Sequence, residues 1–171
     1  MLLLLIACTA SKDSGEPTES TMTIDCPGEA TVAIGDGAET FTEIAENTDL
    51  VMTHGPQGGW HMLASVLVEN LEMIVTLNYT IDVMPEMTRI SDNNYRVQLK
   101  SDGACKGIYW NMYGYLDTSL ITDGELDTPP ELLCGKSLQL TITASDSSGK
   151  SASDSVTVIA APDPTDTCGS E

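Results

Sequence analysis

Between Glu72 and Val83 the chain alternates strictly. Met73, Val75, Leu77, Tyr79, Ile81 and Val83 stand against Glu72, Thr76, Asn78, Thr80 and Asp82, and only Ile74 departs from the pattern. An amphipathic helix repeats its apolar positions every three or four residues, so a run of this length with period two excludes a helix. It demands an extended strand with one face buried, and therefore other strands to bury it.

Those strands are legible. Trp60, Met62, Ala64, Val66 and Val68 fall on one side of a segment ending at Glu69, and Glu69-Asn70-Leu71 reads as a tight connection that makes 60–69 and 72–83 an antiparallel hairpin. Tyr95, Val97 and Leu99 alternate with Arg96, Gln98 and Lys100 after an Asp92-Asn93-Asn94 turn. Residues 106–116, KGIYWNMYGYL, form an aromatic-rich strand. Leu138, Leu140, Ile142 and Ala144 alternate with Gln139, Thr141 and Thr143, and a Ser-Asp-Ser-Ser-Gly turn leads to SASDSVTVIAA. ATVAIGDG and ETFTEIA supply shorter strands upstream. Seven to eight short strands separated by turn residues predict an all-β domain with the layout of an antiparallel β-sandwich. The closing piece, LTITASDSSGKSASDSVTVIAAPDP, resembles the last hairpin of bacterial immunoglobulin-like domains of the PKD and cadherin-like kind. That resemblance implies an immunoglobulin-like sandwich over 26–161, followed by a tail, 162–171. It is silent on function.

Seven Lys and Arg against 26 Asp and Glu give a net charge of -19. Such an excess repels phosphate backbones, so no nucleic-acid partner is expected.

The chain starts MLLLLIACTASKDSGEPTES, and Leu5-Ile6-Ala7-Cys8 resembles the lipobox of bacterial lipoproteins. The resemblance implies that 1–7 is a signal peptide removed on export, that the Cys8 thiol carries a diacylglycerol, and that 8–25 is a polar tether. The apolar run is short and has no Lys or Arg before it, so the expected start lies upstream. Thr9 after the cysteine, rather than Asp, implies the outer membrane. With Cys8 lipidated, four cysteines remain, and four allow three pairings. The favoured one joins Cys26 to Cys168, stapling the domain ends, and Cys105 to Cys134, closing a long loop. No CxxC or Cys-His spacing suggests zinc.

The string HGPQGGWH is the most unusual stretch: His54, Gly55, Pro56, Gln57, Gly58, Gly59, Trp60 and His61. Pro56 fixes its own φ, the glycine pair permits positive φ, and the segment must turn sharply. It resembles a string that opens a sandwich strand in predicted lipoproteins of Gram-negative bacteria, which implies a layout but no role. As a candidate binding loop it contacts a partner. Alternatively His54 and His61, each beside a methionine, face each other and hold copper, since imidazole with thioether suits the reduced ion.

A further candidate is a sugar-stacking platform of Tyr109, Tyr113 and Tyr115, which share one strand face, with Trp110 and Met112 on the other. Asp123, Glu125 and Asp127 have one-apart spacing but lack the full calcium-loop pattern. Without a G-x-S-x-G elbow, H-E-x-x-H or P-loop, no enzyme and no cofactor are expected. The sequence thus predicts a non-catalytic, monomeric, lipid-anchored envelope module that binds an envelope protein or polymer, with metal binding and carbohydrate binding as alternatives.

Overall fold

A computed structural model describes residues 26–55, 58–122 and 128–168. Cys8, Pro56, Gln57, Asp123, Glu125 and Asp127 lie outside them. The described chain is all-β apart from one short helix. Ten strands run in the order β1 (Thr31–Asp36), β2 (Thr42–Glu43), β3 (Thr48–His54), β4 (Trp60–Glu69), β5 (Ile74–Val83), β6 (Thr88–Gln98), β7 (Lys100–Gly103), β8 (Lys106–Tyr115), β9 (Ser137–Ser145) and β10 (Ser151–Pro162). The helix, α1 (Pro129–Leu133), precedes β9.

The strands form one curled, mixed sheet with the order β2-β1-β4-β3-β10-β9-β5-β6, and β8 pairs with β4 and carries β7 beyond it. The curl originates in β3. Its first residues run parallel to β10, Thr48 opposite Val158 through Met52 opposite Pro162, while Met52, Thr53 and His54 pair antiparallel with Met62, His61 and Trp60. Met52 is thus shared between two halves of the sheet, and the inward faces of both meet in one core. That core includes Ile34, Met52, Met62, Val66, Leu77, Tyr79, Ile81, Met112, Leu138, Leu140, Ile142 and Val158. Each large aliphatic side chain buried in this way contributes about 1.5–3 kcal/mol relative to exposure. Ile74, the residue that breaks the alternation, is indeed 52% exposed.

The all-β expectation holds, with three corrections to its details. The sheet has ten strands rather than seven or eight, and it is mixed because β3 lies parallel to β10. Residues 60–69 and 72–83 are not a hairpin: β4 pairs with β1, β3 and β8, whereas β5 pairs with β6 and β9. Alternation fixes which face is buried but not which strand lies alongside. Between them Asn70 takes a left-handed φ of 59°, and its N–H donates to the Cys105 carbonyl at 2.7 Å. Leu71 turns into the core, so the chain crosses from one half of the sheet to the other. Finally, Asp92-Asn93-Asn94 is no turn but the middle of β6, opposite Thr80, Tyr79 and Asn78. Asn78 Nδ2 donates to Asp92 Oδ1 at 2.7 Å and to Asn94 Oδ1 at 3.2 Å, so these turn-forming side chains satisfy one another across the ladder.

All four later cysteines are paired, but not as expected. The bonds are Cys26–Cys105 and Cys134–Cys168, with Cα separations of 5.5 and 5.6 Å. The two ends of the domain are not bonded to each other. Cys26 enters beside the β7–β8 turn, whereas Cys168 closes onto the end of α1, which is tied to β10 by Gly135 N–H donating to the Ala160 carbonyl at 2.8 Å.

Candidate functional site

HGPQGGWH is the connection of the β3–β4 hairpin. Gly55 N–H donates to the Gly59 carbonyl at 2.9 Å, and Gly58 N–H to the Gly55 carbonyl at 3.1 Å. Gly58 and Gly59 have φ of 81° and 87°, and a Cβ on either would meet nothing within 4 Å. The glycines are needed for backbone conformation alone. Cross-strand register then decides where the histidines point. His54 is opposite Trp60, Thr53 opposite His61, and Met52 opposite Met62. By the two-residue alternation, His54 and Trp60 share the side of the buried methionines, and His61 takes the other. His54 and His61 thus fall on opposite faces of the hairpin, and the thioethers of Met52 and Met62 are both buried in the core. Among the described residues no group of three or more His, Cys, Asp or Glu is placed to hold a metal.

His54 packs on the Trp60 ring, centroids 4.7 Å apart and planes tilted 31°. His61 is only 6% exposed and meets Tyr113 edge-on at 4.8 Å. Burial, and then the neighbouring His54 charge, holds the His61 imidazole below its usual value, so it is neutral near pH 7.

The strand opposite, β8, contains a bulge. Ala64 is opposite Met112 but Val66 is opposite Tyr109, so Trp110 and Asn111 together face Ser65, and Asn111 takes φ 54°. The extra residue resets the alternation. Met112 and Gly114 are buried, Tyr113 and Tyr115 point outward beside Leu63 and His61, and Tyr109 turns to the side of Val66, against the core. The three-tyrosine platform is therefore corrected: Tyr109 stands apart from Tyr113 and Tyr115. Trp110, expected with Met112, lies on the outward side, where the Lys100 ammonium sits 4.8 Å from the ring centroid. Tyr113 and Tyr115 are 41% and 58% exposed, with rings 5.8 Å apart and planes within 14°. Tyr95 donates its hydroxyl to the Tyr113 carbonyl and pins that part of the strand.

Concavities among the described residues offer further sites. A cleft of about 410 Å³ lies on the same outward face, with Phe41, Leu67, Ile108 and Trp110 in its walls. A groove of about 600 Å³ lies elsewhere, beside the Cys26–Cys105 bond, Met73 and Ile74. Its carboxylates serve the fold. Asp146 accepts Ser148 N–H at 2.9 Å and Glu72 N–H at 3.3 Å, and Glu72 accepts the Ser147 hydroxyl at 2.7 Å. The outward face of β4 and β8 is the better candidate, since the rings of Tyr113 and Tyr115 are exposed there.

No family model and no curated protein matches this chain. Among solved structures, it is similar to the CooA pilin subunit from enterotoxigenic Escherichia coli, at 13% identity and a TM-score of 0.41, over 78% of this chain and 99% of that one. No helix among the described residues is long and apolar enough to cross a membrane.

Proposed function

We propose that the chain is a non-catalytic binding or structural module of the bacterial cell envelope, lipid-anchored through Cys8 at the outer membrane. As a monomer it presents the outward face of β4 and β8 to an envelope protein or polymer. The observation that carries the reading is the pair of exposed, near-parallel rings of Tyr113 and Tyr115 braced by His61. Exposed aromatic side chains clustered on a rigid sheet are characteristic of contact surfaces, because they offer large area at little cost in side-chain freedom. Two disulfides support an oxidising compartment, and the lipobox-like Leu5-Ile6-Ala7-Cys8 supports the anchor.

The test has two arms. Metabolic labelling with radioactive palmitate is expected to mark the wild-type chain and to miss Cys8→Ala. Purified 26–171 is expected to sediment with isolated envelopes, and Tyr113→Ala/Tyr115→Ala to remain in the supernatant. Equal sedimentation of the two would refute the assigned face.

A further inference from the structure

The geometry points to a neutral saccharide chain as the ligand of this face, with Trp110 as an anchor. The inference rests on the proposed binding role of the β4–β8 face and specifies its ligand class. Because of the bulge at Asn111, the outward positions of β8 carry Tyr115, Tyr113 and then Trp110 in sequence. Successive outward positions of a strand lie about 6.8 Å apart, and the Tyr113 and Tyr115 centroids are 5.8 Å apart. A row of rings at that stride suits a linear polymer of ring units, each offering a C–H face to one aromatic side chain. Nucleic-acid bases would stack on such a row too, but a chain of net charge -19 repels their backbone.

The cleft at the Trp110 end adds the polar half of the recognition. It is lined by Phe41 and Trp110 together with Glu39, Asp102, Lys100 and Lys106. Two carboxylates and two ammoniums cancel locally, in a molecule whose other charges are overwhelmingly negative. Lys106 is paired with Glu69 at 3.0 Å and Asp102 at 3.9 Å. A balanced set of donors and acceptors around two aromatic walls complements hydroxyl groups, each of which donates and accepts, better than it complements any net charge.

Calorimetric titration of purified 26–171 with chitohexaose, cellohexaose and laminarihexaose tests this, with hexalysine and polygalacturonate as charged controls. Binding of at least one neutral hexasaccharide is expected, weakened about tenfold in Tyr115→Ala and in Trp110→Ala and largely restored in Trp110→Phe. Tyr115 is exposed enough for its replacement to leave the fold intact, so the result does not depend on the stability of the Trp110 variant. No heat with any neutral hexasaccharide at about 1 mM, binding indifferent to both variants, or binding of a charged control alone would each overturn the inference. If sedimentation with envelopes still falls in Tyr113→Ala/Tyr115→Ala while no saccharide binds, the face is a binding surface and only its ligand class is wrong.

Discussion

The ring of Tyr79 lies directly on the backbone of Gly114. A Cβ at that glycine would stand 2.8 Å from Tyr79 Cε1 and 2.6 Å from Ile81 Cδ1. β5 and β8 are not hydrogen-bonded neighbours, so this contact marks where the two halves of the curled sheet close on each other.

Gly114→Ala is therefore expected to force the halves apart, at a cost of about 1–3 kcal/mol typical of overpacking. Urea denaturation with an unchanged slope and a lower midpoint checks it.

Tyr79 carries a second consequence. Its hydroxyl is buried with no partner among the described residues, and burial pushes its phenol far above the usual value. Tyr79→Phe removes an unsatisfied donor and keeps the ring on Gly114, so stability should be unchanged or rise by about 1 kcal/mol. A clear loss in thermal unfolding would show that the hydroxyl is bonded.

The bulge makes its own demand. Asn111 has φ 54°, a region that Asn tolerates and β-branched residues resist. Asn111→Gly should be close to neutral, whereas Asn111→Val should destabilise by about 1–3 kcal/mol and release Trp110 from the outward face. Trp emission in a Trp60→Phe background reports the second effect.

Disulfide connectivity is directly measurable. Peptide mapping without reduction should recover Cys26 linked to Cys105 and Cys134 linked to Cys168. The bonds span 79 and 34 residues in sequence, and in the chain-entropy model removing either costs roughly 4 kcal/mol.

Stability should fall over two pH ranges on acidification. His61 has a folded-state value below its ordinary 6.5, set first by burial and then by His54. Its contribution is present above pH 6.5 and is lost as pH falls below that toward the folded value, because the unfolded state takes up the proton more readily. Asp117, Glu131, Asp146 and Asp163 are held below their ordinary values, 3.8 for Asp and 4.5 for Glu, so they add a second loss in more acidic solution. His61→Gln should abolish the first loss and keep the second; melting curves between pH 7 and pH 3 separate them.

Much of the fold was legible because burial on one face writes itself into period two, as at Val75, Leu77, Tyr79 and Ile81. Partner choice is not written there, which is why the supposed hairpin at Asn70 proved to be a crossover. β3 went unread because its pattern is split between two partners: Val51 is exposed while Met52 is buried at the shared position. Of the candidate site, Tyr113 and Tyr115 were visible as outward rings, but Tyr109 and Trp110 were placed on the wrong faces by assuming unbroken alternation. The available signal was Asn111 in the middle of an aromatic run, a residue that favours left-handed backbone and therefore a bulge. Lys100 and Phe41, brought to Trp110 from distant segments, left no local trace.

The face assignment is tested most directly by site-specific photo-crosslinking in living cells. A benzophenone side chain placed at Tyr115, on β8, is compared with one at Thr141, on β9 in the other half of the sheet. Adducts with envelope material are expected from position 115 and not from position 141. Adducts from 141 alone would contradict the assignment of the β4–β8 face.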